Sequence, residues 1–83
     1  MLIEVADSSL DYDRAVKAPL YARAGIPEVW IVDIPGETVE RHSEPTAKGY
    51  RVVRPFGHRD TITTIVLPTV SLSVDEILGD ETE

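Results

Sequence analysis

Short β-branched runs alternate along this chain with one stretch of helical spacing, and that alternation predicts most of its elements. LIEVA, from Leu2 to Ala6, reads as a strand that begins with no cap or polar lead-in after Met1. The chain therefore reads as starting mid-fold, as a fragment or as a strand that needs neighbours from elsewhere. ADSSLD follows with Ser8, Ser9 and Asp11 as capping residues, and Asp11 to Ala24 has helical composition closed by Gly25. Tyr12, Val16, Leu20 and Ala24 fall on one stripe, predicted to be the face that packs on a sheet, with Arg14 and Arg23 pointing elsewhere. Pro19 has no N–H for the Ala15 carbonyl, which predicts a kink or a break into two short helices.

Beyond Ile26-Pro27, EVWIVDI is apolar around Trp30 and predicts a central strand buried on both faces. The turn residues Pro35 to Glu37 send the chain back as TVERH, and GYRVVRPF and DTITTIVL supply two further strands, with Pro55 marking a bulge or an edge. Ser73 caps a single helical turn in LSVDEIL, and residues 79–83 read as a flexible acidic tail. The predicted order is a strand, a helix, four mostly antiparallel strands and a short closing helix, an α/β (α+β) fold in one domain over residues 1–83.

Composition narrows this picture. With 83 residues, 42% hydrophobic and 28% charged, the chain is globular rather than disordered, though a chain this short buries only ~60% of its unfolded surface, so its stability is predicted to be marginal. A net charge of −7 opposes a role in coating DNA or anionic membranes, so any phosphate chemistry needs a local site. The absence of cysteine removes disulfides and thiolate metal sites and fits a reducing compartment. The opening lacks a basic leader and no apolar run reaches spanning length, so the expectation is a cytoplasmic protein with no membrane contact.

Two residues carry candidate chemistry. Glu4 sits inside a strand, where a half-buried carboxylate costs free energy unless it is paired or binds a cation; the alternative is an edge acid facing water. Lys17 lies four residues after Asp13, the spacing of a solvent-face ion pair, yet a helix returning across the sheet could bring its ammonium to Glu4. Five of the eight basic residues fall between Arg41 and Arg59, a segment that reads either as a phosphate-contacting stripe or as a solvated sheet face. His42 and His58 are sixteen residues apart with no third ligand nearby, which argues against zinc.

The stretch LIEVADSSLDYDRAVKAPLYARAGIPEVWIVD resembles the signature of the Uma2 family of restriction-endonuclease-like proteins, and GYRVV and LSVDEIL resemble its later strands and closing helix. The resemblance implies the C-terminal half of a PD-(D/E)xK nuclease core. In that core Glu4 matches the second acid, a catalytic residue and metal ligand, and Lys17 matches a catalytic lysine moved from strand to helix. Ala6 stands where the usual superfamily pattern has lysine. The first metal-binding aspartate, carried in the family by an upstream strand, has no counterpart here.

The implied mechanism is hydrolysis of DNA with Mg²⁺ or Mn²⁺ polarising the phosphate while lysine stabilises developing charge. With one strand acid the expectation is that this chain alone cuts no DNA. The competing expectation is a non-catalytic interaction module, a homo-oligomer whose exposed sheet is covered by another copy. Within the same stretch Trp30 reads as packing and Tyr21 as core. Glu28 and Asp33 either line the cleft or serve as caps or solvent-facing acids.

Overall fold

The computed structural model describes residues 1–79, so the acidic tail predicted over 79–83 lies outside the described residues beyond Gly79. Four strands form the main sheet in the order β1 (Leu2–Ala6), β2 (Glu28–Asp33), β3 (Thr38–Thr46) and β4 (Gly49–Phe56). β1 runs parallel to β2, while β2 to β4 are antiparallel. The single helix α1 (residues 10–23) connects β1 to β2, as a parallel pair requires. A second sheet of β5 (Thr61–Thr63) and β6 (Ser71–Ser73) leads into α2 (Val74–Leu78).

β2 is buried at all six positions because both of its faces are covered. Trp30 and Val32 join Val39, Phe56, Ile62 and Val74 on the face beneath the second sheet and α2. Val29 and Ile31 join Ala6 and Ala18 on the α1 face. Burying a Val or Ile side chain contributes roughly 1.5–3 kcal/mol, so alternation along this one strand ties the two layers together. Trp30 packs as expected, fully buried, with its indole N–H donating to Glu28 at 2.7 Å.

α1 departs from the predicted helix in two respects. Pro19 does not break it. Between the α-helical segments Leu10–Tyr12 and Ala18–Arg23 the chain makes a π-helical turn, Asp13–Lys17, with the Ala18 N–H bonding the Asp13 carbonyl five residues back. A widened turn just ahead of Pro19 accommodates the missing donor within a continuous helix. The second departure corrects the packing face. Tyr12, Val16 and Leu20 are 56%, 39% and 50% exposed, whereas Ala18 and Ala22 are buried. The small alanines allow close approach to the sheet, so the large apolar stripe turns outward. The helix ends as the sequence indicates, at Gly25 with φ +80°; the Gly25 and Ile26 N–H groups bond the Ala22 and Tyr21 carbonyls.

After β4 the predicted long strand DTITTIVL is ordered as a strand only over Thr61–Thr63, and the chain then loops before the unpredicted β6. The loop is held from below. Buried Glu28 accepts the Ile65 and Val66 N–H groups at 2.9 and 3.3 Å, satisfying a carboxylate that faces away from Glu4. Glu28 therefore does not line a cleft with it. Ser73 caps α2 in a reciprocal box with Glu76, as its spacing indicates. Pro55 lies on β4, an edge strand among the described residues, where no ladder donor is lost.

Candidate functional site

Strand alternation decides which polar residues meet. On β1, Leu2, Glu4 and Ala6 face α1, while Ile3 and Val5 face the other layer and are 48% and 63% exposed. Glu4 thus points under the helix, and the helix meets it with polar groups at four-residue spacing. Lys17 Nζ lies 3.4 Å from Glu4 Oε2, and Tyr21 Oη donates to Glu4 Oε1. Lys17 also pairs with Asp13 Oδ1 at 3.6 Å. The two readings of Lys17 therefore hold together: it bridges the strand acid and the helix acid.

Asp13 is the deepest member of this group. Only 2% exposed, it accepts one hydrogen bond from Ser9 Oγ at 3.3 Å on Oδ2, while Oδ1 accepts none. A buried carboxylate oxygen without a hydrogen bond costs free energy unless a cation faces it, and here the Lys17 ammonium does. The Glu4 charge, followed by that of Asp13, outweighs desolvation and holds the Lys17 ammonium above its ordinary pKa. The hydrogen bond to Glu4, with burial adding to it, raises the Tyr21 phenol likewise, so it stays a donor.

A second polar cluster lies two strands away in the same cross-sheet row, because Glu4 pairs with Ile31 and Ile31 with Glu40. Arg14 engages Glu40 with two guanidinium nitrogens, and His42 Nε2 lies 3.1 Å from Glu40 Oε1. Burial alone would raise the Glu40 carboxyl, but the Arg14 and His42 hydrogen bonds prevail and lower it. A hollow of about 320 Å³ opens beside this cluster, also lined by Lys48 and Tyr50. A second hollow lies by Asp7, Asp11 and Asp33. Neither contains Glu4, which sits near the β1 edge of the sheet.

Asp33 accepts the Gly36 N–H at 3.0 Å and so caps the β2–β3 turn. The basic segment does not form one stripe. Arg41 donates to the Thr63 carbonyl at 2.8 Å and, with Arg54, stacks on Phe56. Sequence reasoning brought Glu4 and Lys17 together and paired Lys17 with Asp13, but it missed the burial of Asp13, expected on a solvent face, and Tyr21 as the partner of Glu4. The available signal was the run Asp13, Lys17, Tyr21, polar groups four apart on one helix face.

A divalent ion at Glu4 would need several oxygen donors. Among the described residues no group of three or more His, Cys, Asp or Glu side chains is placed to hold an ion. Both Glu4 oxygens already have partners in Tyr21 and Lys17. The residues of one copy do not fit a complete metal site.

No curated protein matches the chain. The Uma2 family, described as Putative restriction endonuclease, matches it over residues 1–75. A match across most of the sequence, spanning the strand of Glu4 and the helix of Lys17, means that the chain belongs to the Uma2 family of restriction-endonuclease-like proteins.

Proposed function

We propose that this chain carries the strand-and-helix half of a nuclease site that hydrolyses DNA phosphodiesters, with Glu4 and Lys17 as its catalytic pair. The observation that supports this reading is the convergence of Lys17 and Tyr21 on Glu4, with buried Asp13 behind. Lys17, held charged by two carboxylates, is the group to stabilise negative charge building on a phosphate. Tyr21 fixes the Glu4 rotamer and keeps its own proton. Glu4 is the acid through which Mg²⁺ or Mn²⁺ would be held once further carboxylates join it, and a single copy therefore cuts no DNA.

The test is nicking of supercoiled plasmid in Mg²⁺ by the chain kept dilute. The expected result is intact plasmid. Strong Mg²⁺-dependent nicking that disappears in Lys17→Ala contradicts the incomplete-site reading.

A second reading, a non-catalytic module that associates with other copies, is favoured by the exposed apolar side chains Ile3, Val5, Val16 and Leu20. Under that reading Lys17→Ala and Glu4→Ala leave association unchanged and no nucleic acid is cleaved at any concentration.

A further inference from the structure

The hollow of about 320 Å³ between α1 and the β3–β4 hairpin has no part in the Glu4 site, and its polar side chains are only half used. Glu40 and His42 stand two apart on β3, so both side chains leave the same face of the sheet, and both residues are buried. The Arg14 and His42 hydrogen bonds lower the Glu40 carboxyl despite its burial, so it is ionised and can only accept. The hydrogen of the 3.1 Å contact therefore sits on His42 Nε2. That fixes the tautomer and leaves Nδ1 with a lone pair, no hydrogen bond among the described residues and access to solvent. Tyr50 holds the ring in this orientation: it lies edge-on to the imidazole at 5.9 Å and donates its hydroxyl to the Ile26 carbonyl at 2.6 Å.

Unused cationic donors stand at the rim. Arg14 engages Glu40 through Nε and Nη2 and keeps the two N–H groups of Nη1. Lys48 is set by a closed hairpin turn, in which Thr46 Oγ1 accepts the Lys48 N–H at 3.1 Å and donates to the Gly49 carbonyl at 2.7 Å. Its ammonium has no ion pair among the described residues. Arg14 and Lys48 against Glu40 leave one net positive charge at the hollow, in a chain whose total is −7. Pro19 and Val53 add an apolar wall.

We propose that this hollow binds a sugar phosphate: Arg14 and Lys48 take the phosphate, His42 Nδ1 accepts a hydrogen bond from a sugar hydroxyl, and Pro19 and Val53 pack against the sugar carbons. Each part of the ligand answers one feature. Unused N–H donors on two cations call for a phosphate oxygen, a fixed lone pair calls for a hydroxyl donor, and an apolar wall calls for carbon. At the small end of the ~300–1,000 Å³ range of ligand sites, the hollow suits a single sugar phosphate better than a longer ligand. The inference stands apart from the Glu4 reading, because neither Glu4 nor Lys17 lines the hollow.

Amide chemical shifts of the full 83-residue chain, titrated in turn with ribose 5-phosphate, ribose and inorganic phosphate, test this. The expected result is saturable shifts at Arg14, His42 and Lys48 with ribose 5-phosphate. Ribose and inorganic phosphate, each lacking part of the contacts, should bind about tenfold more weakly or worse. Lys48→Glu, which removes no internal side-chain contact, should weaken ribose 5-phosphate binding by about tenfold or more while circular dichroism stays native. The absence of saturable shifts at these residues, an affinity indifferent to Lys48→Glu, or inorganic phosphate that binds as tightly as ribose 5-phosphate overturns the assignment. A short DNA duplex that shifts the same amides where ribose 5-phosphate does not would also overturn it, making the hollow a contact for a nucleic-acid backbone.

Discussion

Glu4 is half-buried with both carboxylate oxygens engaged, so substituting it changes its partners in ways that can be measured individually. In Glu4→Gln the Tyr21 phenol loses the charged acceptor that raises its pKa, and one tyrosine should ionise at lower pH than in the wild type, read from phenolate absorbance. The sign for Lys17 is similar. A raised folded-state pKa contributes stability that is fully present below the unfolded value and is lost only as pH rises through the folded one, so the Lys17 pairs persist across neutral pH and end on the alkaline side. Glu40 behaves oppositely. Its lowered carboxyl contributes stability above the ordinary carboxylate range that disappears as pH falls through the folded value. Glu40→Gln should therefore cost about 1–2 kcal/mol in urea unfolding at pH 7, a range kept modest because the Arg14 side chain is 43% exposed. The gap between variant and wild type should close as pH falls below the ordinary carboxylate range.

At the scale of elements, the helix shows how far the sequence could be read and where it could not. Gly25 was legible because an αL stop favours glycine, and Gly25→Ala should cost about 1 kcal/mol in chemical unfolding: the space there is open, so the penalty is purely the backbone conformation. β2 was legible because a doubly covered strand has no polar alternation, and Ser73 because its partner Glu76 stands three residues on. The packed face of α1 was not. Periodicity ranks Tyr12, Val16 and Leu20 above two alanines, but it carries no information on how closely a helix approaches its sheet, and that distance places Ala18 and Ala22 inside. The π turn was only partly legible: Pro19 announces a missing hydrogen bond, yet the choice between a break and a widened turn depends on tertiary anchors such as buried Asp13. Within the site, Glu4 stood out as an acid inside a β-branched run. Asp13 and Tyr21 did not, since an i,i+4 ion pair and a helical tyrosine each have ordinary explanations until the sheet is in place.

For the molecule as a whole, the two layers around β2 leave the outer stripe of α1 and the side chains of Ile3 and Val5 uncovered among the described residues. Among the described residues no helix is long and apolar enough to cross a membrane. The net charge of −7 sets the electrostatic context, repelling polyanions in general, so that any approach of phosphate needs a local site. The measurement that tests the incomplete Glu4 site most directly is calorimetric titration of the chain with Mn²⁺, compared with Glu4→Ala and Lys17→Ala. The account predicts no stoichiometric binding by the dilute wild type or by either variant, because Glu4 stands there without the further carboxylates an ion needs. Binding by the wild type that is lost in Glu4→Ala would contradict the incomplete-site reading.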